Sequence, residues 1–256
     1  MLGQIELNKI LFIDIETVPG CADYAQLPDR LKILWDKKSR VLLRRTSGEP
    51  CSEQEIAELY LEKAGIFAEF GRIICISVGF LTSGYPDKEG ILRIKSFSGD
   101  ISERDLLLQF TQMIHEYYHD PQNCWLCGHN IKEFDIPYLC RRLIVNEIPL
   151  PEVLQLAGKK PWEMKHLLDT MDLWKFGDLK GYISLDLLAA VLDVETPKGD
   201  IDGSMVGHVF WTENDIHRIT VYCEKDVLTV VRILHRMMGI PQIRDERVVF
   251  VREEIQ

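Results

Sequence analysis

A chain of 256 residues, 46% hydrophobic and 27% charged, is long and apolar enough to bury a substantial core, which excludes a disordered tail or a linker-dominated chain. Its 30 Lys and Arg against 40 Asp and Glu give a net charge of −10 and a pI near 5.2, so it does not coat nucleic acid through bulk electrostatics. An enzyme that grips a few nucleotides locally, with a divalent metal supplying positive charge, is still allowed.

The apolar run after Lys9 is broken at once by Asp14 and Glu16, and no stretch approaches the roughly 18 apolar residues of a membrane helix. Neither a signal peptide nor a membrane span is therefore expected. Seven cysteines, an odd number, fit a reducing compartment better than a disulfide framework, and a cytoplasmic location is the expectation.

In chain order, Lys9 to Ile15 (KILFIDI) is a short continuous apolar run and predicts a buried central strand. Residues from about Val18 to Ile66 are too long for a turn and carry helical periodicity, so they predict a helical insertion. Its charge is split. Arg30, Lys32, Lys37, Lys38, Arg40, Arg44 and Arg45 stand against Asp36 in the first half, and Glu49, Glu53, Glu55, Glu58 and Glu62 fill the second. Each half reads as a solvated helix face, or the basic half lies along a phosphate backbone. Arg72 to Leu81 and Ile91 to Phe97 predict two further strands. Ser102 then caps a helical pattern with Leu106, Phe110, Met113 and Tyr117 on one side. Asn123 to Cys127 reads as a short fourth strand. The CxxC pair Cys124 and Cys127 is read as two thiols on that buried strand, since a zinc ribbon needs a second such pair and none exists. Asp135 to Val145 predicts a helix with Pro137 in its first turn, and Leu185 to Val194 a short one capped by Ser184. Thr212 to Asp215 resembles a capping box opening a long helix through Met238. Helices interleaved with strands predict an α/β sandwich; there is no internal repeat.

Four acids draw attention. Asp14 and Glu16 stand two apart on a strand, so both side chains leave on the same face. Carboxylates held side by side against an apolar sheet repel and lose hydration, a conflict that Mg²⁺ or Mn²⁺ removes. Asp135 sits where a helix begins, as an N-cap, a ligand or both. Tyr222 and Asp226, four apart, share one helical face, either as a core-edge tyrosine beside an exposed acid or as part of a site. Phosphodiester hydrolysis needs such a set. The charged diester repels an attacking hydroxide, and two divalent ions about 3.5–4 Å apart neutralise it, acidify a water and stabilise the departing 3′-oxygen. Tyr222 would aim that water, because a phenol with a pKa near 10 is a poor base at neutral pH.

FIDIET (Phe12 to Thr17), GHNIKEFDIPYL (Gly128 to Leu139) and YCEKD (Tyr222 to Asp226) resemble, in order, the three motifs of the DEDD 3′–5′ exonucleases. Tyrosine four before the last aspartate marks the tyrosine-bearing DEDDy subtype. The second motif is similar to the proofreading domain of family B DNA polymerases, and KGDIDGSMV (Lys198 to Val206) resembles stand-alone, predicted PolB-like exonucleases. The resemblance implies a ribonuclease H-like fold, a mixed five-stranded sheet flanked by helices, as one exonuclease domain over residues 1–256. It implies Asp14, Glu16, Asp135 and Asp226 as ligands of two divalent ions, Mg²⁺ or Mn²⁺. Tyr222 would orient water, and Thr17 and Asn130 would contact the terminal nucleotide. For Thr17 a strand-end hydroxyl bonded to backbone, and for Asn130 an amide closing a turn, are the structural alternatives. Lys198 and Asp202 match the extra motif, as a loop touching the strand or a turn around Gly199 and Gly203. The split-charge insertion departs from the family pattern.

The expected activity is metal-dependent removal of nucleotides from single-stranded 3′ ends, DNA more than RNA. The alternatives are a same-fold endonuclease or nucleotide phosphodiesterase, and a non-catalytic nucleic-acid-binding module.

Overall fold

The computed structural model describes residues 5–44, 51–82, 90–178, 181–196 and 199–252. Six strands form one mixed sheet: β1 (Ile10–Pro19), β2 (Gly71–Leu81), β3 (Leu92–Ser98), β4 (Trp125–Gly128), β5 (Leu167–Asp169) and β6 (Val248–Val251). Their spatial order is β5-β4-β1-β2-β3-β6, and β2 alone runs antiparallel to the rest. The helices are α1 (Asp29–Leu42), α2 (Glu53–Lys63), α3 (Glu103–Tyr117), α4 (Asp135–Val145), α5 (Thr170–Lys175), α6 (Leu185–Val191), the single turn α7 (Val206–His208) and α8 (Ile216–Met238).

The expected α/β class, a mixed sheet flanked by helices, is present, with one strand more than the five expected. The extra strand β6 pairs parallel with β3 and is tied down by Arg252, whose guanidinium donates to the buried Glu224 carboxylate of α8 (Nη2 to Oε2, 2.6 Å). Nothing in its pattern, VVFV, sets it apart in the sequence from a trailing end.

The period of two along β1 sorts the two cores. Leu11, Ile13 and Ile15 face α3 and α4, whereas Ile10 and Phe12 face α8 through Val227, Val231 and Leu234. Asp14 and Glu16 continue the α8 side. β1 also runs further than the apolar segment implied, from Ile10 to Pro19, so the two acids lie inside the strand. A bulge between Glu16 and Thr17 in the pairing with β2 marks the change.

Elsewhere the elements follow their signals with small corrections. Ser102 and Ser184 cap α3 and α6 as expected, each accepting the backbone N–H three residues on. The buried stripe of α3 is Leu106, Leu107, Phe110, Thr111 and Ile114; Tyr117 lies off it, exposed. No capping box opens α8. Asp215 alone caps it, and a π-helical turn, Val209–Glu213, and left-handed Asn214 precede it. Cys124 and Cys127 are both buried but lie in different cores, because an odd spacing on an extended segment sends side chains to opposite sides; they do not form a metal pair.

The insertion is helical, as expected. Tyr24, Leu27, Trp35, Ile56, Tyr60, Ala64 and Phe70 form its own small core, with the Trp35 indole donating to the Ile56 carbonyl (3.2 Å). Arg45 and Glu49 lie outside the described residues.

Candidate active site

β4 pairs with β1 only over Ile10 to Phe12, so one edge of β1 is open from Ile13 onward. Asp135 fills that edge: its carboxylate accepts the Ile15 N–H at 3.2 Å. Asp135 is therefore not the N-cap of α4. Phe134 holds that position without a side-chain bond, and Asp135 is the first helical residue, 4% exposed. From the other side α8 lays Tyr222, Cys223 and Asp226 over β1. The Cys223 thiol donates to Asp14 Oδ2 (3.2 Å), and the ligand atoms of Asp14, Glu16 and Cys223 lie within 4.8 Å of one another. Tyr222 and Asp226 are hydrogen-bonded to each other. A cleft of about 1330 Å³ is lined by Asp14, Glu16, Thr17, Asn130, Asp135, Tyr222 and Asp226 together. All seven residues singled out in the sequence thus meet in one place.

Electrostatics set this place apart. Burial first, then Asp226 and Asp135, push the Asp14 carboxyl well above the carboxylate range; burial, then Asp14, does the same to Glu16. Burial raises Asp135 to about 7, against the pull of its own and the Ile15 N–H groups, and Asp226 to about 6, against its bond to Tyr222. Burial and the neighbouring carboxylates likewise push the Tyr222 phenol far above its ordinary value. With no cation bound, such a set holds its protons to higher pH than free carboxyls do.

The second motif is held by a second layer of bonds. Gly128 has no room for a side chain: a Cβ there would meet Ile131 at 2.0 Å and the Ile13 carbonyl at 2.7 Å. Asn130 adopts φ 62°, a conformation asparagine tolerates. Its N–H donates to Asp169 (2.9 Å), and its side-chain oxygen is buried with no hydrogen-bond partner. Thr17 bonds not to backbone but to the Tyr138 hydroxyl, which in turn donates to the Gly65 carbonyl of the insertion (2.9 Å).

The profile of one protein family, described as predicted 3′–5′ exonucleases related to the exonuclease domain of PolB, matches residues 66–246. The chain belongs to this family. A family B DNA polymerase from the hyperthermophilic archaeon Pyrobaculum calidifontis is similar at 14% identity and a TM-score of 0.48, over 89% of this chain and 26% of the polymerase. The chain thus spans about a quarter of that protein's length. No curated protein matches.

The family match begins at the end of the insertion, so Asp14 and Glu16 lie outside it and join the cleft through the geometry above. Sequence reasoning missed Asp169. Its carboxylate, 1% exposed at the end of β5, accepts three backbone N–H groups, from Asn130, Lys132 (3.1 Å) and Met171 (2.9 Å), and so fixes the motif loop. The signal available was an acid closing an apolar pair, LLD, ahead of a helix. His129 was missed as well. Burial lowers its pKa, and the neutral ring donates Nε2–H to the Ile183 carbonyl (2.8 Å) and accepts from Thr170 at Nδ1 (2.9 Å).

The extra motif forms a turn: Asp202 accepts Ser204 N–H (2.8 Å) and Met205 N–H and lines the cleft, while Lys198 lies outside the described residues. Arg142, near the site in sequence, is spent on a bidentate pair with Glu103. Lys132 pairs with Asp172 (3.1 Å). Trp211 donates to the Pro19 carbonyl (3.1 Å), pinning the π-helical turn to the end of β1.

Proposed function

We propose that the chain is a metal-dependent 3′–5′ exonuclease of the DEDDy type. It would remove nucleotides from single-stranded ends, DNA more than RNA, as one domain over residues 1–256 with a helical insertion. The observation that carries this reading is that four acids from β1, α4 and α8 line one cleft, each with its carboxyl pKa raised first by desolvation. The four carboxylates, with a partnerless Asn130 amide oxygen lining the same cleft and the Cys223 thiol engaged as a donor to Asp14, fit a hard divalent cation such as Mg²⁺ or Mn²⁺. Asp14, Glu16, Asp135 and Asp226 would hold two such ions. When bound, these would neutralise the phosphodiester and acidify the attacking water.

The chain's own groups do the rest. Tyr222, kept protonated by its surroundings and held by Asp226, donates and accepts hydrogen bonds without serving as a base, and so orients the water. Asn130 and Thr17 flank the acids, where the terminal nucleotide would lie. No helix among the described residues is long and apolar enough to cross a membrane, and the seven free cysteines support work in the reducing cytoplasm.

The test is a 5′-labelled oligonucleotide with Mg²⁺ or Mn²⁺. A ladder shortening from the 3′ end is expected, and Asp14→Ala should abolish it in a folded protein; intact oligonucleotide with wild type under both metals overturns the reading. Cleavage of circular single-stranded DNA would instead identify the endonuclease alternative.

A further inference from the structure

We infer that this site, if an exonuclease, acts on short oligonucleotides and holds them by their bases, not by ion pairs to their phosphates. A protein that tracks a long strand lines its groove with lysine and arginine, since the backbone carries a negative charge at every nucleotide. This cleft does the opposite. Beyond Asp14, Glu16, Asp135 and Asp226 its lining includes Glu58 and Glu62 on α2, Asp186 on α6 and Asp202, all exposed. Glu62 pairs with Lys63 (2.7 Å), and Asp202 is kept ionised by the bonds it accepts from Ser204. Among the described residues Lys225 is the one lysine or arginine in the lining.

The basic half of the insertion does not compensate. No residue of α1 reaches the cleft; the acidic helix α2 does. The strand tail of a long substrate would leave past carboxylates, and each added phosphate would meet repulsion. What the walls do offer is surface for bases. Leu61 (53% exposed) and Ile66 (51%) stand on one wall, and Tyr182 (74%) on the segment whose Ile183 carbonyl is tied to His129. Base–aromatic stacking tolerates any sequence and, being a contact between uncharged groups, involves no ion pair for salt to screen. At about 1330 Å³ the cleft exceeds the ~300–1,000 Å³ of a single small-molecule site, so it has room for more than one nucleotide.

The experiment measures kcat/KM on a dinucleotide, a pentamer and a twenty-five-mer at fixed Mn²⁺, with monovalent salt raised from about 50 to 200 mM. The expected result is the highest value on the two short substrates, and a salt slope on the long one no steeper than about −0.7, the value for a single neutralised phosphate. Glu58→Lys should narrow the gap between long and short. Tyr182→Ala should lower kcat/KM on the pentamer about tenfold through KM, with Tyr182→Phe close to wild type. A value that climbs with length and falls steeply with salt overturns the inference and leaves the exonuclease reading standing. No hydrolysis at any length, with Mn²⁺ present, overturns both.

Discussion

Two groups of acids in this molecule, each buried or partly so, have opposite surroundings. On the flank of the sheet, Glu103 accepts two bonds from Arg142 (2.8 and 2.5 Å) and one each from the Ile73 N–H and the Asn146 amide, and Glu224 accepts from Arg252 and Ser96. At the open edge of β1, Asp14, Glu16, Asp135 and Asp226 face one another instead, their carboxyls forced upward by burial and repulsion. The first arrangement completes itself with the chain's own cations and serves stability. The second holds its protons to higher pH instead, the kind of perturbed carboxyl cluster found at functional sites.

The comparison can be broken by exchanging outcomes. Asp14→Ala should remove nuclease activity altogether while leaving the metal-free protein as stable as wild type, or more so, because it relieves a repulsion; a denaturant titration beside the ladder assay checks both. Glu103→Ala should do the reverse, costing about 3–5 kcal/mol by stranding the Arg142 guanidinium, with the residual folded protein still active. Tyr222→Phe removes one positioned hydroxyl and should lower kcat about 10²-fold with KM little changed.

The stability of the metal-free protein should also fall with rising pH. Folded-state pKa values near 7 for Asp135 and 6 for Asp226 exceed the unfolded carboxylate value near 4, so the folded chain binds the extra protons in between. Their contribution is fully present below pH 4 and lost as pH rises through 6 to 7, each kcal/mol lowering Tm by about 2–4 °C. Mn²⁺ at about a hundred times its Kd should restore about 2.7 kcal/mol, and Asp226→Ala should cancel the gain. A Tm that rises from pH 5 to 8 without metal would contradict the raised carboxyl pKa values. The smallest effect belongs to Lys132→Ala, which breaks an exposed pair with Asp172 and should cost less than about 1 kcal/mol and no activity.

Most of the acids that line the cleft were legible before the fold. Asp14 and Glu16 were readable as same-face neighbours from their spacing, and Tyr222 and Asp226 from the helical repeat, because both are local geometry. Asp169 and His129 were not, since what they do is hold backbone groups far away in sequence, and an acid after two leucines looks like any strand end. The insertion was legible as helical, but which of its charged halves faces the cleft was not.

The sequence by itself determined the alternation of strand and helix, the caps at Ser102 and Ser184, and the order of the three acidic motifs, all set by short-range periodicity and local hydrogen bonding. Only the tertiary structure decided that β4 stops short along β1, so that the Ile15 N–H is left for Asp135 to satisfy, and that α8 closes the other side with the Cys223 thiol on Asp14. Those are pairings between segments more than a hundred residues apart, fixed by which backbone groups the sheet leaves unpaired.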